Sequence, residues 1–139
     1  MIVNIERSID VEDEIRKVLN PYMICYCRPL PAKFSIPSIL VTQVGGGDLD
    51  HIDSLNVVLD SRAEHEADAL ELLRNALGVL RTAVKAQTSP LRFIEVNSSG
   101  SWGSDPVRPD LAMCSATIRV VAHLENATIN SKEELNNGI

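Results

Sequence analysis

The sequence has little of what several common functions require. It contains no run of Lys or Arg, and its net charge is −6. Sequence-independent binding to DNA or RNA needs basic side chains that displace counterions from phosphates, so tight nucleic-acid binding is not expected. No apolar stretch approaches the roughly 20 residues of a membrane-spanning helix, and we expect no membrane contact. The acidic, amphipathic N-terminus also lacks the basic start and apolar block of a secretory signal.

Cysteine is scarce as well, with Cys25, Cys27 and Cys114 the only three. An odd number cannot all pair within one chain, so we expect reduced thiols in a cytosolic setting. The C-x-C spacing of the first two fits zinc poorly, and all three are expected to be small buried hydrophobes. No metal and no cofactor are predicted.

What the sequence does contain is the composition of a single globular domain. Its 139 residues include 45% hydrophobic residues, enough for a sizeable core. A short helix is predicted at Asp10–Leu19, with Asp10 as its N-cap. A long helix is predicted at Ser61–Lys85, where Ser61 and Glu64 form a capping box and leucines repeat at three–four spacing, with Leu73 and Leu77 at the centre of the buried stripe.

Apolar and β-branched segments predict strands around these helices. The last of them alternates apolar and polar residues, which is typical of a half-buried strand. We therefore predict an α+β fold, a mostly antiparallel sheet of about four strands with the long helix and the short N-terminal helix packed on one face. Residues 1–125 form this domain, and residues 126–139 form a loose polar tail. The strand segments are Met23–Cys27, Ser38–Val44, Leu55–Leu59, Leu91–Val96 and Ala112–Glu125.

Three consecutive glycines, Gly45–Gly47, raise the possibility of a phosphate-binding loop. Such a loop leads directly into a helix N-terminus and usually carries a Lys. Here no Lys follows, three aspartates do, and another strand precedes the next helix. We therefore predict a flexible connection between two strands, with the glycines free to adopt positive φ. The aspartates Asp48, Asp50 and Asp53 could instead hold a hard cation, but the spacing lacks the EF-hand glycine and closing glutamate, and a solvated turn is favoured.

No catalytic set is evident from the sequence. His51, His65 and His123 fall on a loop, a helix and a strand, and no pattern places them beside a Ser or Cys, so we predict that the chain is not an enzyme. Recognition is assigned instead to the loops, because loops carry binding residues on a rigid scaffold. Trp102 and Arg108 combine an aromatic ring and a guanidinium in one predicted loop, a combination typical of interface hot spots. The candidate interface residues are Trp102, Arg108, Leu49 and His51.

A series of segments follows the short N-terminal helix in a distinctive order: Pro37–Gly46, Leu55–Leu59, Val57–Leu73, Leu91–Val96, Asn97–Asp110 and Leu111–Glu125. The first contains a phrase P-x-hydrophobic-V-x-x-x-G-G, and the third contains a phrase like V-x-A-x-x-x-x-E-A that leads into a long helix. A short strand, a Gly- and Pro-containing loop and an alternating strand follow. In this order, most of residues 9 to 125 resembles the tail terminator (tail completion) proteins of long-tailed bacteriophages. Asp60 departs from the small or aromatic residue usual at its position in that family.

The resemblance implies a structural protein of the virion. Such proteins form rings, typically hexamers, which cap the tail tube, end its growth and dock onto the head connector or stopper protein. The expected partners are further copies of the chain, the tail tube protein and the head connector, and DNA passes through the lumen without tight binding. Assembly would take place in the bacterial host cytoplasm, and the final location would be the head–tail junction.

Two other functions fit the sequence less well. The chain could be another neck component, a head-completion or stopper protein, which shares small size and ring assembly. It could also be a small ligand-binding domain or enzyme that uses the Gly45–Asp53 loop.

Overall fold

The computed structural model of the protein describes residues 1–132, with Leu49 described by its backbone alone. Strands dominate these residues, and two helices interrupt them. The elements in chain order are β1 (Ile2–Arg7), α1 (Val11–Leu19), β2 (Cys25–Cys27), β3 (Ser38–Leu49), β4 (Ile52–Ala63), α2 (Glu66–Ala86), β5 (Leu91–Gly103), β6 (Ala112–His123) and β7 (Glu125–Asn130).

The predicted fold class, an α+β fold with about four strands, is wrong. The described residues form a mostly β fold with seven strands in two sheets. The larger sheet has the order β2-β3-β4-β6-β5, in which β2 pairs with β3 in parallel and the other pairs are antiparallel. The smaller sheet is an antiparallel ribbon of β1 and β7. The prediction failed because backbone pairing extends the strands through glycine and serine segments in which the side chains give no strand pattern.

Both helices pack on the five-stranded sheet, α2 against β4, β5 and β6 and α1 against β2 and β3. β4 and β6 alternate buried and half-buried residues, and their buried side chains face the helices. Leu73 and Leu77 of α2 are buried as predicted, whereas Leu70 keeps 37% of its surface exposed. The side chains that fill this core include Ile15, Leu19, Ile39, Leu59, Leu73, Leu80, Leu91 and Ile118.

The two helix starts differ in how well the sequence predicted them. Asp10 caps α1 as expected, and its Oδ1 accepts a hydrogen bond from the Asp13 backbone N–H at 3.2 Å. The predicted capping box of α2 is wrong, because β4 continues to Ala63 and the helix N-cap is His65, which makes no side-chain cap. Ser61 is instead buried in β4 and donates its hydroxyl to the Ala69 carbonyl at 2.7 Å. Pairing with β6 therefore overrides the local capping signal.

The glycine stretch is not a flexible connection, and that prediction is wrong. Gly45–Gly47 lie within β3, paired with β4, and the chain reverses only at Asp50 and His51. At Gly46, φ is +142°, and a Cβ would come within 2.6 Å of the Ser54 carbonyl oxygen. Only glycine permits this close approach of the two backbones.

The terminal segments form the ribbon that the sequence did not predict. Ile2 lies opposite Asn130, and the register continues to Arg7 opposite Glu125. The expected loose tail, residues 126–139, is therefore wrong for Asn126–Asn130, which lie in β7, and residues 133–139 lie outside the described residues. Contact between sequence-distant termini leaves no local pattern from which it could be predicted.

Candidate interaction surfaces

The β3–β4 hairpin end is attached to the base of the ribbon. His51 Nδ1 lies 2.8 Å from Glu6 Oε2 of β1, and the Leu124 backbone N–H donates to the His51 carbonyl at 3.0 Å. Asp50 adopts the left-handed conformation with φ +56°, which Asp tolerates better than most residues. The interface candidates Leu49 and His51 thus belong to one turn, with Leu49 ending β3 opposite Ile52.

The three aspartates of this hairpin occupy different environments. Asp48 is exposed and lies directly opposite Asp53 across the strand pair. Asp53 is buried on the helix-facing side, and its Oδ2 has no hydrogen-bond partner among the described residues. Within residues 1–132, no group of three or more His, Cys, Asp or Glu side chains is arranged to hold a metal ion. The structure thus places Asp48 opposite Asp53 but does not gather three acidic side chains of the described residues around one point.

Trp102 and Arg108 are not in one loop. Trp102 belongs to β5, opposite Cys114 of β6, and 49% of its surface is exposed. Arg108 forms a surface ion pair with Asp110, with Nη2 to Oδ2 at 3.0 Å. The ring–guanidinium contacts found in the described residues join Arg62 to Phe34 and Arg119 to Phe93 instead.

A buried ion pair holds the segment that carries Arg108. Arg62 Nε donates to Asp105 Oδ2 at 2.7 Å, and both side chains are more than nine-tenths buried. Asp105 Oδ1 also accepts from the backbone N–H groups of Val107 and Arg108. Burial by itself would raise the pKa of Asp105, but the hydrogen bond from Arg62 and the two backbone donors outweigh it and lower the pKa below its usual range. No local pattern in the sequence signals this contact, because its partners are 43 residues apart.

The face of the five-stranded sheet opposite the helices carries a polar network. Arg119 donates to Ser54 Oγ at 3.3 Å and to Glu95 Oε2 at 3.4 Å, and its guanidinium lies 5.3 Å from the Phe93 ring centroid. Phe93 remains 45% exposed. The polar positions of the alternating β6 pattern did predict a solvent-facing side here. The strand partners could not be predicted from that pattern.

Several exposed apolar side chains lie on the ribbon and the hairpin, and others lie on the rest of the described surface. Ile2 is 67% exposed and Ile129 is 48% exposed, on a two-stranded sheet whose principal contacts are between its own strands. Val44 and Ile52 of the hairpin are also exposed. A two-stranded ribbon is only marginally stable by itself in water, so these side chains are suited to contact another molecule.

On the helix layer, an open groove runs between α1 and α2. Its apolar lining includes Val18, Met23 and Val79, and Gly78 lies in its wall. A Cβ on Gly78 would meet nothing within 4 Å, so packing within the chain does not require glycine at this helical position. Arg81 and Lys85, three and seven residues further along the helix, are exposed on the same face.

The thiols and histidines form no nucleophilic pair. Burial raises the pKa of Cys25 to about 12, with a further contribution from Cys27, while Arg16 acts in the opposite direction. Such a thiol is protonated at neutral pH and is a poor nucleophile. His65 is the N-cap of α2, whereas His51 on the hairpin turn lies near His123 at the end of β6, because Ile52 pairs with His123.

Neither of the two described helices is both long and apolar enough to cross a membrane. Comparison with known protein families and with curated protein sequences gives no match to this chain.

Proposed function

We propose that this chain is a structural subunit of the head–tail junction of a long-tailed bacteriophage, a tail terminator that assembles as a ring, most simply a hexamer. The ring would cap the tail tube, end its growth and bind the head connector. The proposal joins the sequence resemblance to one structural observation, the exposed apolar ribbon of β1 and β7. A ribbon of this kind gains stability when a partner covers it.

The rest of the surface supports a role in assembly. Long strands hold the hairpin, the ribbon and the β5 edge as rigid projections around one core. Rigid projections bind with little loss of conformational entropy, which favours repeated contacts between identical subunits. A chain with a net charge of −6 would not bind tightly to DNA that passes through the lumen of such a ring.

Imaging of assembled particles tests this proposal. A ring of this chain between tube and connector, with the chain detected in purified virions by mass spectrometry, is the expected result. Absence from virions, together with turnover of a small substrate by the purified protein, would overturn it. Deletion of the gene separates the terminator from the stopper alternative. Loss of a terminator should give overlong tubes, whereas loss of a stopper should leave tails of normal length that do not join heads.

A further inference from the structure

Unpaired charges of opposite sign lie on the hairpin end and on α2. Asp48 and Asp50 are exposed and make no ion pair within residues 1–132. Arg81 and Lys85 are likewise exposed, and neither is in an ion pair in that part of the chain. Most other basic side chains on the described surface do have an acidic partner. The acidic end and the basic stripe therefore have no ion-pair partner in the part of the chain that the structure describes.

The two charged surfaces lie on different parts of the domain. β2 pairs with β3 only as far as Val41, so the remainder of β3 up to the acidic hairpin end is an open edge in the described structure. The basic stripe is on the exposed side of α2, which packs across β4, β6 and β5. Complementary surfaces at two separate places on one subunit suit a head-to-tail contact, which closes into a ring when the rotation between copies permits.

Gly78 gives an independent indication of close contact on the basic stripe. It faces the same side of α2 as Arg81 and Lys85, since the spacings of three and seven residues repeat along one helix face. Glycine is less favourable than alanine inside a helix, and here no neighbour among residues 1–132 lies where a side chain would extend. A partner that approaches the helix backbone at this point would explain the residue.

We propose that the acidic hairpin end of one copy, Asp48 and Asp50, docks on the α2 stripe of a second copy, Gly78, Arg81 and Lys85. The proposal rests on the proposed function in one respect, since the repeated contact is what would build the ring. Exposed Ile52 beside the turn supplies apolar surface to the same contact. Because the charges that meet are exposed, association should weaken as salt concentration rises.

Carbodiimide cross-linking tests the contact directly, since this reagent joins a carboxylate to an amine without a spacer. An equal mixture of ¹⁴N- and ¹⁵N-labelled protein, concentrated at low salt, should yield mixed-isotope peptides that join Lys85 to Asp48 or Asp50. Cross-links confined to other residues, or none at the highest attainable concentration, would overturn the contact. Sedimentation velocity on the same samples should show oligomers that dissociate when salt is added.

Charge exchange adds a second test. Asp48→Lys with Asp50→Asn, or Arg81→Glu with Lys85→Glu, should each weaken association at least about tenfold, since like charges then face each other. Asn is chosen at position 50 because it tolerates the left-handed backbone there. The variant with both sets should regain association. The control Glu64→Lys with Glu66→Gln is matched to the hairpin variant, Asp48→Lys with Asp50→Asn. It makes the same change in net charge at exposed residues beyond the contact and should associate as the natural protein does.

Gly78→Ala separates a docking role from a structural one. The added methyl has open space and favours the helix, so the unfolding temperature should rise while association weakens. Unchanged association, or failure of the doubly exchanged variant to regain it, would overturn the docking site. A ring seen in virions with other residues at its subunit contacts would reject this contact and leave the proposed function intact. Absence of the chain from virions would reject the function while the cross-links persisted.

Discussion

Arg62 and Asp105 form the most deeply buried ion pair among the described residues, with 2.7 Å between Nε and Oδ2. Asp105 also holds the backbone at Val107 and Arg108, so one carboxylate fixes the segment between β5 and β6. The guanidinium lies 6.0 Å from the Phe34 ring centroid, which links the proline-containing loop to the same place.

Asp105→Asn should therefore destabilise the fold strongly. The change leaves the Arg62 guanidinium buried beside a neutral group, and breaking a buried pair in this way costs about 3–5 kcal/mol. Asp110→Asn is the matched control, because its ion pair with Arg108 is on the surface, where solvent and salt screen it, and it contributes little to stability. Urea unfolding of the three proteins measures both effects. Equal losses in the two variants would contradict this account.

The Asp105 carboxylate should make the free energy of unfolding depend on pH. The pKa of Asp105 in the folded protein is lowered, so its contribution is complete above the unfolded pKa of about 3.9 and is lost as pH falls through the folded value. The difference in unfolding free energy between the natural protein and Asp105→Asn should shrink as pH is lowered from 5 toward 2. A constant difference over this range would mean that the carboxylate charge is not the stabilising feature.

Two neighbouring glycines of β3 should respond differently to alanine. Gly46→Ala places a methyl against the Ser54 carbonyl and the Leu55 Cα, so we expect a loss of about 1–3 kcal/mol. Gly47→Ala meets nothing within 4 Å and should be neutral or stabilising by up to about 1 kcal/mol. Thermal unfolding distinguishes the two. A similar effect from both would show that strand pairing does not constrain Gly46.

Within α2, burial should decide the cost of shortening a leucine. Leu73 is fully buried, and Leu73→Ala should cost about 2–5 kcal/mol through lost burial and the cavity left behind. Leu70 is partly exposed, and Leu70→Ala should cost less than about 1 kcal/mol. Chemical denaturation measures the free energy of unfolding of the two variants. A loss below about 0.5 kcal/mol at Leu73 would place this face outside the core.

The thiols should resist alkylation in the native state. The pKa of Cys25 is raised to about 12, and burial also raises the pKa of Cys27 and Cys114. Iodoacetamide at pH 8 should label Cys27 first, because its side chain is the most accessible of the three, and should label Cys25 and Cys114 only on unfolding. Mass spectrometry of tryptic peptides over time reports the order. Rapid native labelling of Cys25 would show that the site opens readily.

Elements with strong local patterns were predictable from the sequence. Asp10 correctly predicted the start of α1, and the alternating pattern of β6 correctly predicted a strand with one buried face. Leucine spacing identified α2 and its buried residues Leu73 and Leu77. In each case the residues that define the element are neighbours in the chain, so their physical preferences can be read locally.

The tertiary structure decided what local patterns could not. Gly45–Gly47 extend β3 because β4 pairs with them. Ser61 remains in a strand because it pairs with β6 and does not join the helix that follows. The β1–β7 ribbon and the Arg62–Asp105 pair join residues far apart in sequence, as does the placement of Trp102 on β5. Apolar periodicity acts over a few residues, and the sequence alone determines it. Strand partners, buried ion pairs and exposed edges depend on which distant segments meet, and only the folded chain determines that.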